Sequence, residues 1–145
     1  MIRNLVKSDD SILHHKIKTC GVDLDRHFLA KTLIENMHHY DGVGLSANQI
    51  GMDIRAFAMI RDIEHNEVIV CFNPCIIKKY NKCVEFEEGC LSFPDQYINV
   101  SRPDIIDVKY EDEDGKEHKM TLQGFPSRVF QHEHDHLDGI NFLER

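Results

Sequence analysis

Two histidines and a glutamate have the residue types and the spacing of a metal centre. The segment QHEHDHL at residues 131–137 contains the pattern H-E-x-x-H. On a helix, residues four apart lie on one face about one turn apart, so His132 and His136 can bind one metal ion with Glu133 beside it. A catalytic metal also needs a third protein ligand and an open position for water. Cys90, which lies in an EGCLS segment, is the candidate for that third ligand.

Glu133 favours a catalytic site over a structural one. A carboxylate directly after the first histidine faces the open position of the metal, where it can take a proton from attacking water and pass it to a leaving amine. A structural zinc site does not need such a group. Cys71 and Cys75 form a C-x-x-x-C pattern, but no second pair follows at zinc-finger spacing, so we interpret them as packing residues.

A glycine-rich segment, GVGLSANQ at residues 42–49, is the remaining stretch that could bind a ligand. It lacks the Lys-Ser/Thr pair of a phosphate-binding loop and does not continue as G-x-G-x-x-G, so we reject nucleotide binding. Gln49 is more informative, because a carboxamide near a metal can donate a hydrogen bond to a carbonyl oxygen that gains charge.

The bulk properties predict one globular domain spanning residues 1–145. Hydrophobic residues make up 41% and charged residues 29% of the chain, and no apolar run approaches the ~18 residues of a membrane span. Five cysteines form no regular framework and we expect no secretory leader, which indicates reduced thiols in a cytosol-like compartment. A formal net charge of -8 argues against direct nucleic-acid binding.

The elements that position these residues follow from periodicity. Apolar residues at three- and four-residue spacing predict an early amphipathic helix over residues 23–40, with Asp23 as its N-cap. A second helix is predicted over residues 126–137, with Pro126 in its first turn and Gly139 just past its end. Strands are predicted at residues 54–60, 68–72, 105–110 and 116–122. We therefore expect an α+β fold in which antiparallel β-sheets pack around the late metal-ligand helix.

Three segments together resemble the signature motifs of the peptide deformylases. They are GVGLSANQ at residues 42–49, EGCLS at residues 88–92 and QHEHDHL at residues 131–137, and they stand in the family's order. Each alone is moderately specific, whereas the three together are highly specific. The resemblance extends between the motifs and covers essentially all 145 residues.

The resemblance implies an enzyme that removes the formyl group from N-formylmethionine at the start of new polypeptides and releases formate. It also implies one divalent metal ion held by Cys90, His132 and His136. Fe²⁺ is the expected native metal, and Zn²⁺ or Ni²⁺ can substitute for it. Ligand type alone does not decide which of these ions loads.

The resemblance further assigns the catalytic roles. The metal lowers the pKa of a bound water, which attacks the formyl carbon. The side chain of Gln49 and the backbone N–H of Leu91 are expected to stabilise the oxyanion, each by ~3 kcal/mol. Glu133 is expected to protonate the departing amine.

The methionine side chain of the substrate needs an apolar pocket. The residues that the resemblance places around it are Val43, Phe86, Phe125, Arg128 and Val129. Gly44, which has no Cβ, is expected to let the substrate backbone approach closely. Glu88 and Arg102 are expected to form a supporting ion pair, with Asp135 near the metal ligands.

Some positions differ from the common family pattern. Ser46 stands where alanine is commoner, a small-for-small change for which we expect little consequence. Ser127 replaces a usual alanine, Pro126 is unusual at the helix start, and His134 occupies a place often taken by an apolar residue. The domain is expected to lack the long C-terminal helix of many members, yet to stay active, because no signature residue lies beyond Gly139.

The partners implied are N-formylmethionyl peptides, as nascent chains at the ribosome, with no membrane and no direct nucleic-acid contact. The chain is expected to act as a monomer. The expected compartment is the cytoplasm of a bacterial-type cell, as a host or virus-encoded enzyme, or an organelle.

Two other functions remain open at this point. A zinc endopeptidase also uses H-E-x-x-H, but it usually takes a further ligand downstream, and Glu144 is the sole such residue beyond Asp138. A non-catalytic metal-stabilised binding module would have four protein ligands and would leave Glu133 and Gln49 without a role.

Overall fold

The structure, a computed structural model, describes residues 1–21 and 23–145. Within them the chain forms two α-helices, seven β-strands and three short 3₁₀ turns. The helices are α1 (Arg26–His39) and α2 (Phe125–Leu137). The strands are β1 (Gly44–Ser46), β2 (Ala56–Asp62), β3 (Glu67–Lys79), β4 (Cys83–Cys90), β5 (Phe93–Pro103), β6 (Ile105–Glu111) and β7 (Glu117–Gln123). Neither helix of the described ranges is long and apolar enough to cross a membrane.

The strands form two antiparallel sheets. Five of them pair in the order β1-β2-β3-β6-β7, and β4 and β5 pair with each other as a separate two-stranded hairpin. The antiparallel α+β expectation is confirmed. The predicted strand at residues 68–72 covers only the first half of β3, because its sequence reaches an Asn-Pro pair there. Asn73 adopts a φ of 50° at a bulge in the pairing with β6, after which the strand continues.

The two helices cover opposite faces of the five-stranded sheet. Side chains of a strand alternate between faces, and along β2 Phe57 packs in the cluster of α2 whereas Ala58 packs in the cluster of α1. On the α2 side, the rings of Phe57 and Phe130 meet edge to face with centroids 5.1 Å apart. On the α1 side, Leu33 is fully buried. Burial on both faces explains why β2 is apolar rather than alternating.

The ends of the helices have clear local causes. The N-cap of α1 is Asp25, whose carboxylate accepts a hydrogen bond from the backbone N–H of Phe28 at 3.1 Å, so the prediction of Asp23 as N-cap was wrong. Helix α2 begins one residue before the predicted start, with Pro126 in its first turn as expected. Gly139 follows α2 with a φ of 75°, and a Cβ there would lie 2.7 Å from the backbone nitrogen of His15. Only glycine fits both conditions.

Candidate active site

The fold brings Cys90, His132 and His136 together from distant parts of the chain. Cys90 is the last residue of β4, and both histidines lie on α2 one turn apart. One ligand atom from each residue lies within 4.8 Å of the other two. The Sγ atom of Cys90 is 3.2 Å from Nε2 of His136. The two imidazole rings have centroids 5.0 Å apart and are inclined by 69° to each other.

Glu88 orients the first histidine. Its Oε1 atom is 3.0 Å from Nδ1 of His132. Burial raises the pKa of Glu88, but hydrogen bonds from His132 and Arg102 outweigh burial and hold this pKa at about 2. The carboxylate is therefore ionised near neutral pH and accepts, so Nδ1 of His132 carries the hydrogen. Burial lowers the pKa of His132, but hydrogen bonds to Cys90 and Glu88 outweigh burial and raise this pKa to about 10, so binding of a metal at Nε2 would release the second ring proton.

Glu88 also binds two arginines, so it joins the hairpin to α2. Arg102 donates from Nε to Oε2 at 2.6 Å and from Nη2 to Oε1 at 3.0 Å. Arg128, on α2, donates from Nη1 to Oε2 at 2.5 Å and also binds the carbonyl oxygens of Val84 and Val100. The expected ion pair of Glu88 and Arg102 is thus part of a larger buried network.

This network continues through Asp135 to Arg145, which sequence reasoning did not identify. Arg102 donates to Oδ2 of Asp135 at 2.9 Å. Arg145 donates to both oxygens of the same carboxylate, at 3.0 and 2.5 Å. Burial raises the pKa of Asp135, but hydrogen bonds from Arg145 and Arg102 lower it below its ordinary value. Arg145 lies ten residues after Asp135 in the sequence, and no motif or periodicity there indicates that the two side chains meet.

Glu133 lies beside the ligand cluster with its carboxylate buried. Burial raises the pKa of Glu133 to about 7. Its Oε1 atom has no hydrogen-bond partner among the described residues, although it is shielded from solvent. A Cβ at Gly44 would lie 2.6 Å from Oε2 of Glu133 and 2.9 Å from Cγ1 of Val129. Gly44 therefore leaves room for the Glu133 carboxylate itself, a role that the sequence did not indicate.

Gln49 reaches the cluster from the 3₁₀ turn Ala47–Ile50. Its Nε2 atom donates to Oγ of Ser92 at 2.9 Å and lies 3.6 Å from Sγ of Cys90. Its Oε1 atom accepts from the backbone N–H and the hydroxyl of Ser46, both at 3.0 Å. The amino end of the carboxamide therefore faces the thiol.

A cleft with a volume of about 500 Å³ opens next to the cluster. It is lined by Glu133, Gln49, Leu91 and all six residues predicted to bind substrate, namely Val43, Gly44, Phe86, Phe125, Arg128 and Val129. Cys90 and His132 also line it. Phe86 and Phe125 are largely exposed at its mouth. Polar groups and a ligand cluster at the end of an apolar cleft are typical of an enzyme site.

Tyr97 lines the same cleft and was not predicted. It lies on β5 opposite Gly89, and a Cβ at Gly89 would lie 2.6 Å from its ring. Its side chain is 65% exposed, so it adds apolar surface at the mouth.

The donor set fits a catalytic transition-metal ion. One sulfur and two imidazole nitrogens suit Zn²⁺ and Fe²⁺, and three protein ligands leave a position for water or substrate. The unpartnered Oε1 atom of buried Glu133, noted above within the described ranges, is an acceptor available to such a water. The side-chain amide of Asn48 donates to the carbonyl oxygen of His136 at 2.8 Å and so joins the end of α2 to the 3₁₀ turn of Gln49.

Comparisons with known proteins cover nearly the whole chain. A family model described as polypeptide deformylase matches residues 2–145. A peptide deformylase from a Picosynechococcus species is 42% identical over 139 residues, which are 94% of this chain and 74% of that protein. A chloroplastic peptide deformylase 1B from Oryza sativa subsp. japonica is 39% identical over 144 residues, covering 97% of this chain and 54% of that protein.

Solved structures are similar over the full chain. The crystal structure of peptide deformylase from Thermotoga maritima superposes with a TM-score of 0.93 at 36% identity, covering 100% of this chain and 97% of that one. A class I type b peptide deformylase from Acinetobacter baumannii, bound to Met-Ala-Ser, gives a TM-score of 0.91 at 30% identity, with coverages of 100% and 98%.

Proposed function

Because the chain belongs to the polypeptide deformylase family, and is thus a metal-dependent hydrolase that removes the N-formyl group from nascent polypeptides, we propose that Cys90, His132 and His136 hold its metal and Glu133 transfers the protons. The observation that carries this proposal is the convergence of the three ligand atoms within 4.8 Å of one another. The group found among the described residues has three side chains, so a bound ion would keep an open position, which favours a catalytic over a structural centre.

The metal proposed for this centre is Fe²⁺, with Zn²⁺ or Ni²⁺ as substitutes. When bound, a divalent ion supplies Lewis acidity, which lowers the pKa of water and polarises a carbonyl oxygen. The thiolate and the two imidazoles are ligands that all three ions accept. The hydrogen bond from Nδ1 of His132 to Glu88 supports the proposal, because it fixes the tautomer and the ring orientation of a ligand.

Glu133 is proposed as the general base and then the general acid. It takes a proton from the water whose oxygen attacks the formyl carbon. As the carbon–nitrogen bond breaks, Glu133 returns that proton to the amine, so that the products are formate and a free methionine amino group. Its buried position beside the ligands and its unpartnered Oε1 atom within the described residues support this role.

Gln49 and Leu91 are proposed to stabilise the oxyanion. The formyl oxygen gains charge when the carbon becomes tetrahedral, and the Gln49 amino group and the Leu91 backbone N–H donate to it. Donors held in place before the reaction stabilise such charge by ~3 kcal/mol each. The Gln49 amino group already lies 3.6 Å from the sulfur of Cys90, next to the cleft.

Five of the predicted substrate-binding residues are proposed to surround the methionine side chain, and Gly44 is proposed to let the substrate backbone approach closely. The five are Val43, Phe86, Phe125, Arg128 and Val129. Phe86, Phe125 and Val129 supply apolar surface in the cleft. Arg128 is better suited to shaping the wall than to binding substrate, because its guanidinium already binds Glu88 and two carbonyl oxygens. Nascent chains at the ribosome, a monomeric state, and the cytoplasm or an organelle remain the proposed setting.

The test uses the protein loaded with Fe²⁺ under exclusion of oxygen. Formate release from a formyl-Met peptide is measured for the wild type, Glu133→Ala and the control Glu64→Ala, which alters an exposed loop residue. The Glu133 variant is expected to lose at least about 100-fold in kcat while it keeps one metal per chain. The control variant is expected to match the wild type.

Two results would contradict the proposal. An active Glu133→Ala variant would remove the assigned proton carrier. Cleavage of internal bonds in an unformylated peptide, without formate release, would indicate an endopeptidase instead.

A further inference from the structure

Ser46 binds the oxygen end of the Gln49 carboxamide with two donors. Its backbone N–H and its hydroxyl each donate to Oε1 of Gln49 at 3.0 Å. Ser46 is fully buried and Gln49 is 1% exposed, so no solvent competes for these bonds. A carboxamide oxygen has two lone pairs, and Ser46 alone occupies both of them.

The amino end of the same carboxamide is left to face the reaction site. It donates to Oγ of Ser92 at 2.9 Å and lies 3.6 Å from Sγ of Cys90. A flipped carboxamide would place its N–H groups against the two donors of Ser46. Because unmade buried hydrogen bonds are costly, this arrangement excludes the flipped orientation.

We infer that Ser46 is a positioning residue for the reaction, whose hydroxyl holds the Gln49 amino group towards the bound formyl oxygen. The inference rests on the proposed function of Gln49. It gives a role to Ser46, which stands where alanine is commoner in the family and where the sequence predicted little effect of that difference. The backbone N–H of residue 46 binds Oε1 whatever the side chain, so it supplies one of the two bonds in every variant at this position. The hydroxyl adds the second bond that restrains rotation of the carboxamide about its last torsion.

The main test is a double-mutant cycle with Ser46→Ala and Gln49→Ala, assayed on a formyl-Met peptide. Ser46→Ala is expected to lower kcat by about 3- to 10-fold with KM within about twofold, the scale of one neutral hydrogen bond. In the Gln49→Ala background the same change is expected to have no effect on kcat, because residues that act as a unit are not additive.

Ser127→Ala is the matched control. Ser127 is also a fully buried serine, but its hydroxyl donates to the carbonyl oxygen of Pro103 and accepts from Gln131, away from Gln49. Its loss is expected to lower thermal stability without changing kcat. A purely structural role for Ser46 would give the same pattern as this control.

A second readout needs no metal and no turnover. In metal-free protein, exchange of the Gln49 carboxamide protons with solvent is measured by NMR. Ser46→Ala is expected to speed this exchange severalfold, whereas Ser127→Ala is expected to leave it unchanged.

The outcomes separate this inference from the proposed function. An unchanged kcat in Ser46→Ala, or an equal loss in both backgrounds, overturns the role of Ser46 and leaves Gln49 as the oxyanion donor. If Gln49→Ala retains full kcat, the proposed role of Gln49 fails, and the inference about Ser46 falls with it.

Discussion

Helix α2 and the β4–β5 hairpin both contribute to the proposed metal centre but are held in place by different sets of contacts. Helix α2 packs through fully buried apolar side chains, such as Phe130 and Leu137, against the five-stranded sheet. The hairpin, which supplies Cys90, exposes its apolar Phe86 and buries the charged Glu88 and Arg102. Apolar packing dominates behind the histidines, whereas the hairpin combines a small apolar cluster of Phe93, Val100 and Phe142 with a buried network of charged hydrogen bonds. Mutations in α2 and in the hairpin should therefore destabilise different parts of the structure.

The largest effect is expected where the charged network is broken. Arg102→Ala leaves Glu88 and Asp135 buried with fewer partners, and breaking a buried ion pair typically destabilises by about 3–5 kcal/mol. The free energy of unfolding is measured by urea titration. The control is Arg61→Ala, which removes an exposed pair with Glu67 and is expected to cost below about 1 kcal/mol. If Arg102→Ala lowered the free energy of unfolding by less than about 1 kcal/mol, the buried network would not contribute substantially to stability.

Hydrogen exchange distinguishes the two kinds of attachment. Phe130→Ala is expected to destabilise by a similar amount, about 3–5 kcal/mol, because it leaves a cavity against Phe57. It should lower protection throughout the five-stranded sheet. Arg102→Ala should first lower protection in β4 and β5. Identical exchange patterns in the two variants would remove the proposed difference between the regions.

Gly44→Ala tests the contact between the sheet and α2 at the site itself. The new Cβ would lie 2.6 Å from Oε2 of Glu133, so the carboxylate must move. We expect a loss of about 1–3 kcal/mol in stability, as for overpacking, together with a large fall in kcat. Gly115→Ala is the control, since it has a φ of 80° but no atom within 4 Å of the new Cβ. It should cost about 1 kcal/mol and leave kcat unchanged.

Phe86→Ala tests the exposed side of the hairpin. Phe86 is 60% exposed, so its loss is expected to change the free energy of unfolding by less than about 0.5 kcal/mol. KM for a formyl-Met peptide is expected to rise by about 10-fold, because apolar contact with substrate is lost. Ile63→Ala, equally exposed but outside the cleft, should change neither quantity. An unaltered KM for Phe86→Ala would argue against a substrate contact at this position.

The smallest intervention compares two thiols without changing the sequence. Cys71 is fully buried in β3, and burial raises the pKa of its thiol well above the ordinary value. Cys83 is exposed at the start of β4. Since the thiolate is the reactive form, iodoacetamide should label Cys83 in the native protein and Cys71 only after unfolding. Peptide mapping by mass spectrometry reads both sites, and equal native labelling would contradict the burial of β3.

The α2 half of the site was predictable from sequence, because helical spacing places His132, Glu133 and His136 by geometry alone. The antiparallel strands β6 and β7 were predictable too, since a hairpin turn joins them. Cys90 was the candidate third ligand by residue type, but nothing in its sequence neighbourhood indicates proximity to α2, and the family resemblance supplied that link. Strand β1 is only three residues long and gave no periodic signal.

The hairpin itself escaped prediction for a physical reason. In β4 the apolar Val84 and Phe86 are exposed and the charged Glu88 is buried, which is the reverse of the alternation that identifies a half-buried strand. In β5 the charged Arg102 is buried together with Val100, while Tyr97 is exposed, so no polar-apolar alternation stands out there either. The role of Gly44 was missed for a related reason, because its close neighbour is a carboxylate from another element.

One carboxylate in the network shows why equal size does not mean equal function. Both oxygens of Glu88 are saturated, Oε1 by Arg102 and His132 and Oε2 by Arg102 and Arg128. An isosteric glutamine at this position would replace one oxygen by an amino group. In either orientation of that amide, its amino group would face two hydrogen-bond donors. A substitution that leaves the shape of the side chain almost unchanged would therefore break several buried hydrogen bonds at once.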